Sequence, residues 1–290
     1  MNKIKPLTQA GLFAALHVVL LIVSNAIIGV DFILIVGLPF ASALYSLKNK
    51  PLHTLLFFVA TSLICFPIDL IKTLLYIIPS LVSGIAYGYL IKLKFNSLSL
   101  IYTLTFISSL LFLFSIFIID LVYHIDFIDL AKSFFNISET TFNNYGPSLI
   151  LLIGFCQSIL THIIIKEELN RMNIKVNNNY DPSFFFVCFS LVALIISLIL
   201  FNTTYLNVAI YFMFIYLITF IPIIIYAFSK TNKHFIFLVI GSLFILFVTL
   251  PLMKKFPSDS ILMLITFFFL PYYLKTFVIL LTNMSKNVVK

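Results

Sequence analysis

Charge is what this 290-residue chain has least of. Asp, Glu, Lys and Arg make up 10% of it, against about 25% in an ordinary soluble domain. With 62% hydrophobic residues and a mean hydropathy of +1.15, the chain has too little polar surface to stay in water, and far too much apolar surface to be disordered. Cysteine is scarce as well. Cys65, Cys156 and Cys188 have no CxxC spacing and sit in apolar surroundings, so they read as small buried hydrophobes rather than a disulfide framework or a metal site. Eight glycines are too few for a collagen-like chain. Tryptophan is absent, which leaves tyrosines such as Tyr76, Tyr87, Tyr89, Tyr102, Tyr123, Tyr205 and Tyr272 to anchor span ends at the membrane interface.

Catalytic signatures are missing too. There is no Walker lysine loop, no HExxH, no GxSxG and no pair of carboxylates at useful spacing within one helix. The five histidines, His17, His53, His124, His162 and His234, form no ligand cluster in sequence. The residues argue for no cofactor, no metal and no enzyme.

What is present is a succession of apolar runs. Spans of about 20 residues cross a bilayer as helices, because lipid offers no partner for backbone amides. The runs are Leu7–Val23, a short Phe32–Leu47, then Leu55–Ile91, which suits two crossings broken near Pro67, Asp69 and Lys72. Further runs are Leu98–Ile119, Pro147–Ile165, Phe184–Phe201, Tyr205–Phe228, Phe235–Met253 and Ser260–Thr282. The expectation is an all-α polytopic bundle of about ten spans, six and then four. A polar loop carries Lys166-Glu167-Glu168, Arg171, Asn177-Asn178-Asn179 and Asp181-Pro182. It suggests a membrane domain over 1–168, a hinge over 169–183 and a second membrane domain over 184–290.

The net charge of +8 does not point to nucleic acid, since the cations stand singly or in pairs between apolar runs. Alternating spans with the N-terminus inside put fourteen of the eighteen Lys and Arg residues on the inner side, leaving Lys72, Lys132, Lys254 and Lys255 outside. That bias predicts a multi-pass membrane protein with both ends cytoplasmic; the Lys254-Lys255 pair goes against it by facing outward, unless the last two spans form a re-entrant hairpin, which explains the pair and keeps the C-terminus inside. Asp31, Asp69, Asp120, Asp126, Asp129, Glu139 and Asp259 then fall outside. Between Asp120 and Gly146, the residues Phe127, Leu130, Ala131, Phe134 and Phe135 share one helical face and predict an interfacial helix, either a strut or a lid.

Ionisable groups at membrane depth usually face protein or a water-filled cavity. Asp69 and Lys72, three apart after Pro67, suit an ion pair on one helical turn, either part of a site or snorkelling at the outer interface. His17, Gln157 and His162 read as polar residues bonding between helices. Asp120 and His124, four apart, allow a pH-dependent pair. On the first span Ala10 and Ala14 are one turn apart, as are Gly11 and Ala15. Such faces admit close helix approach, either for packing within the chain or for docking another membrane protein.

The opening Leu7-Thr8-Gln9-Ala10-Gly11-Leu12-Phe13-Ala14-Ala15-Leu16 resembles the start of the YybS-like predicted membrane proteins of Firmicutes. Leu169-Asn170-Arg171-Met172-Asn173-Ile174 with Asp181-Pro182-Ser183-Phe184 resembles that family's hinge. The resemblance implies a bacterial cell-membrane protein and no assigned function. The first six spans are further similar to the substrate-binding S components of energy-coupling-factor transporters. Their AxxxA docking surface for the coupling protein is matched by Ala10 and Ala14. Their outward pocket would, by position, be walled by Asn25, Asp31, Asp69, Lys72, Asp120, His124, Asn144 and Tyr145. The implied role is binding, or helping to transport, an unidentified small molecule; the other reading is a noncatalytic scaffold or regulator. The four spans after Asp181 depart from the S-component pattern, and they would occupy the surface where a coupling protein docks.

Overall fold

The computed structural model describes residues 4–27, 31–124, 129, 138–177, 184–201, 205–230, 271–272, 274–279 and 281–282. Among the described residues all regular structure is helical. The chain forms two compact units, one of residues 1–139 and 149–178, the other of residues 140–148 and 179–290.

In the first unit, α1 (Ile4–Ala26) is followed by a short α2 (Asp31–Val36) and by α3 (Leu38–Lys48). The expected single span Phe32–Leu47 is thus two helices broken at Gly37. Pro39 sits in the first turn of α3, where a missing N–H costs nothing but an upstream helix cannot continue. Asn49 ends α3, donating to the Tyr45 carbonyl from its backbone N–H at 3.1 Å and from its side chain at 3.0 Å. Lys50, extended as a residue before proline tends to be, starts α4 (Pro51–Cys65). Pro67 bars continuation, and the chain re-enters a helix at α5 (Leu70–Lys92). Within α5 the stretch Thr73–Ile77 is π-helical, with the Ile78 N–H donating five residues back to the Thr73 carbonyl. Pro79 follows at once and removes the next N–H of the ladder, a setting in which a wider turn is a common solution.

Two long helices complete this unit, the second of them chiefly from Leu149 onward. α6 (Ser97–Tyr123) is opened by the Asn96 side chain accepting from the Ser99 N–H at 2.8 Å and closed by left-handed His124 at φ 53°. α7 spans Glu139–Arg171 with Pro147 inside. It starts eight residues before the expected Pro147 and runs six past Ile165, absorbing part of the predicted outer loop. In the second unit α8 (Phe184–Leu200) and α9 (Leu206–Lys230) pair antiparallel: the Ser197 hydroxyl donates to the Ala209 carbonyl at 2.9 Å, while Val187 packs with Tyr216 and Phe220.

Among the described residues four helices are long and apolar enough to cross a bilayer, Pro6–Ala26, Leu70–Lys92, Ser97–Val122 and Phe142–Arg171, and Pro51–Cys65, Phe184–Leu200 and Leu206–Phe220 are shorter apolar helices. Most of the last two predicted spans, the Lys254-Lys255 pair and nearly all of the predicted interfacial helix lie outside the described residues.

Core packing in the first unit rests on close backbone approach rather than on bulk. α3 lies across Gly84 and Gly88 of α5. A Cβ at Gly84 would run into the Pro39 carbonyl and Ser42, and one at Gly88 into Ser46 and the Ala43 carbonyl. Gly154 on α7 does the same against Ser109 and Thr105 of α6. Around these contacts sit Tyr45, Phe57, Leu81, Tyr87, Leu100 and Leu104, all essentially fully buried.

Candidate functional site

The helix ends of the first unit sort by charge. At one end Tyr45 donates to the Pro6 and His53 carbonyls at 3.2 and 3.4 Å, and Lys92 donates to the Ser46 and Asn49 carbonyls at 2.5 and 2.8 Å. Ser97 donates to the Asn177 carbonyl at 2.9 Å. These bonds gather the start of α1, the α3–α4 turn, the α5–α6 turn and the segment after α7. That end carries Lys48, Lys50, Lys92, Lys94, Lys166, Arg171 and Lys175. Among the described residues its acidic ones are Glu167 and Glu168, both paired with Arg171, at 3.7 and 2.9 Å. Among the described residues the opposite end holds Asp31, Asp69 and Asp120, with Lys72 beside them.

Lys72 is the centre of this acidic end, though not through the predicted partner. The Asp69 carboxylate accepts from the Lys72 backbone N–H at 2.9 Å, because Asp69 is the extended residue that caps α5. In that N-cap to third-residue relation, the short acidic side chain turns back onto a free helix N–H. The Lys72 ammonium reaches instead to Asp31, at 2.9 Å, and to the Ser24 carbonyl at 2.8 Å, with the Ser24 hydroxyl at 3.4 Å. The expected Asp69–Lys72 ion pair is therefore an Asp31–Lys72 pair. The ammonium also meets the negative end of the α1 dipole. Both side chains keep some exposure, 22% for Lys72 and 33% for Asp31.

Other bonds stiffen the same end. Ser80 donates to the Leu34 carbonyl at 2.5 Å, Thr73 to the Asp69 carbonyl at 2.6 Å, and Ser115 of α6 to the Leu74 carbonyl inside the π-helical turn at 2.8 Å. Such a turn leaves carbonyls out of register, and Ser115 satisfies one of them. Tyr76, on the same turn, lies within electrostatic range of Asp31, Lys72 and Asp69. Ser24, Tyr76 and Ser115 were not singled out for this end by the sequence reading; nothing in their spacing marks them.

The remaining predicted residues are dispersed. Asn25 is exposed at the end of α1, next to Ser24. Asp120 and His124 are exposed, and the contact that joins them is a backbone one, His124 N–H to the Asp120 carbonyl at 2.8 Å, so their spacing reflects a helix terminus rather than a side-chain pair. Asn144 and Tyr145, expected in an outer loop, are half-buried residues of α7 that cluster with the second unit.

Two buried histidines bond between helices. The Phe13 carbonyl, 2.7 Å from His17 Nδ1, can only accept, which puts the proton on Nδ1 and leaves Nε2 to accept from Ser42 of α3 at 3.3 Å. Tyr87 of α5 and His162 Nδ1 of α7 are 3.0 Å apart. No group of His, Cys, Asp and Glu among the described residues could hold a metal ion. Cys65 is buried as expected, but Cys156 is exposed and Cys188 half-exposed. In a membrane helix an apolar neighbourhood in sequence does not distinguish protein interior from lipid.

The small-residue face of α1 behaves unevenly. Ala14 is buried against α4, Ala10 is half-buried, and Gly11 and Ala15 are exposed. Together with Phe57 and Ala60 of α4 they line an apolar groove of about 590 Å³. A Cβ added at Gly11 would meet nothing within 4 Å.

No curated protein and no solved structure matches this chain. Residues 15–146, just under half of it, match the model of a family described as "Predicted membrane protein (DUF2232)". The matched stretch begins inside α1 and ends in the first turns of α7. Long apolar helices and that similarity together mark the chain as a membrane protein.

Proposed function

We propose that this is a noncatalytic, multi-pass membrane protein whose first unit binds a small polar molecule at its acidic end, which faces outward. The reading is carried by the Asp31–Lys72 pair, held at 2.9 Å across separate helices and still partly exposed. A carboxylate and an ammonium in contact can exchange partners with a ligand bearing one charge of each sign, and Asp69 supplies a second carboxylate on the same turn. The π-helical stretch beside Lys72 supports it, since such turns concentrate at functional sites. The orientation follows from the basic opposite end, by the bias of Lys and Arg toward the cytoplasm. An S-component-like binding role, with both termini inside, is consistent with this arrangement.

The test is a thermal-shift screen of the purified full chain against zwitterionic, anionic and cationic metabolites, vitamins included. A ligand present well above its dissociation constant raises the melting midpoint. A response to zwitterions that disappears in Lys72→Gln supports the reading. A flat response across the library, or one that survives in Lys72→Gln, contradicts it.

A second reading has its own observation. The open surroundings of Gly11, beside Ala10, Ala14 and Ala15, suit a partner helix laid into the α1–α4 groove, as a scaffold or regulator would require. Crosslinking in membranes with Gly11→Leu tests it: loss of a crosslinked partner supports the reading, and an unchanged profile removes it.

A further inference from the structure

A second lateral groove lies between α4 and α5, toward the basic end of the unit. It has a volume of about 560 Å³ and is walled by Leu52, Leu55 and Phe58 of α4 and by Val82, Ile85 and Tyr89 of α5. Leu52 and Leu55 are 66% and 58% exposed, so this wall is turned away from the protein interior. The groove runs up to the basic end. There Tyr89 donates to the Thr54 hydroxyl at 3.0 Å, and the Lys92 ammonium stands 5.0 Å over the Tyr89 ring. Lys50 precedes Pro51 at the first turn of α4, and Lys48, Lys50, Lys92 and Lys94 are all exposed. No Asp or Glu occurs between Asp31 and Asp69, nor between Asp69 and Asp120. The two turns that meet at this end are therefore purely cationic.

We propose that the α4–α5 groove is a binding site for an anionic phospholipid, with one acyl chain along the apolar walls and the headgroup phosphate against Lys50 and Lys92. The charge balance selects the occupant. An apolar groove alone accepts any chain, but one that ends at uncompensated lysines favours a lipid with a negative headgroup. Two of the three Lys92 N–H groups are taken by the Ser46 and Asn49 carbonyls, which pins the ammonium at the mouth of the groove with one N–H left. Among the described residues the exposed Lys50 side chain has no partner, so it can swing to a phosphate. Tyr89 closes the floor at headgroup depth, where amphipathic rings settle. The proposal requires only that the basic end meets a leaflet; it stands or falls apart from any ligand at the acidic end.

The experiment is native mass spectrometry of the full chain, titrated in detergent with phosphatidylglycerol or with phosphatidylcholine of the same acyl chains. Phosphatidylglycerol is expected to bind more tightly, and Lys50→Gln to weaken it by about fivefold, the worth of one lysine near an anionic surface. Lys94→Gln, beside the site rather than in it, is expected to change binding less than twofold. Ile85→Trp, which fills the groove, is expected to weaken both lipids. Lys92→Gln also loses its two carbonyl contacts, so Lys50→Gln is the decisive charge variant. Equal affinity for the two lipids overturns the proposal. So does equal weakening by Lys50→Gln and Lys94→Gln, which means a diffuse field, or undiminished binding in Ile85→Trp.

Discussion

Two helices of the first unit carry the same small-residue spacing and use it differently. On α5, Gly84 and Gly88 are covered by α3, with backbone carbonyls where a side chain would go. On α1, Gly11 and Ala15 stand open, and a methyl at Gly11 would touch nothing. Between lipid-solvated helices there is no hydrophobic drive to associate, so a close-packed seam is held by dispersion contacts and polar bonds. The α5 seam has both: Ser46 and Ser42 lie at the contact, and Ser80 and Lys92 bond across to α2 and α3. Spacing shows that a close approach is possible; the neighbouring helix decides whether it happens.

The comparison breaks most sharply at Gly84. Leucine there must displace the Pro39 carbonyl, which is backbone, and overpacking of that kind costs about 3 kcal/mol or more. Thermal or denaturant unfolding in detergent should show Gly84→Leu as the most destabilised variant. Should it melt like the wild type, α3 and α5 do not touch as described. The counterpart is Gly11→Leu, expected to shift stability by no more than about 0.5 kcal/mol. A large loss there means the α1 face is packed after all and offers no open surface.

The acidic end gives an intermediate pair of tests. Asp31→Asn removes the charge opposite a partly exposed ammonium, worth about 1–2 kcal/mol, between the values for surface and buried pairs. Asp69→Asn keeps a capping side chain, since Asn and Asp cap equally well, and should cost under about 0.5 kcal/mol. The reverse order, with Asp69→Asn the more damaging, restores the local Asp69–Lys72 pairing and removes Asp31 from the site.

Much of this was legible in the sequence. Low charge and long apolar runs dictate helices, and the Pro67–Asp69–Lys72 break lies where the sequence suggested. A capping Asp two residues after a proline is itself a helix-start signal, and weighing it would have separated Asp69 from Lys72. The Asp31–Lys72 contact was not legible, because it joins residues forty-one positions apart on two separate helices. Nor was the exposure of Cys156, since lipid and protein interior look alike to an apolar residue. The seam at Gly84 and Gly88 was written as plainly as the α1 face; only packing tells the occupied one from the open one.

The central claim is that the two ends of the first unit lie on opposite sides of a membrane, basic inside and acidic outside. Single-cysteine variants Lys94→Cys and Asp120→Cys, with the three native cysteines replaced by serine, test it through an impermeant maleimide applied to intact cells. The account predicts labelling at position 120 in intact cells and at position 94 only after permeabilisation. Equal labelling of both in intact cells, or the opposite order, contradicts it.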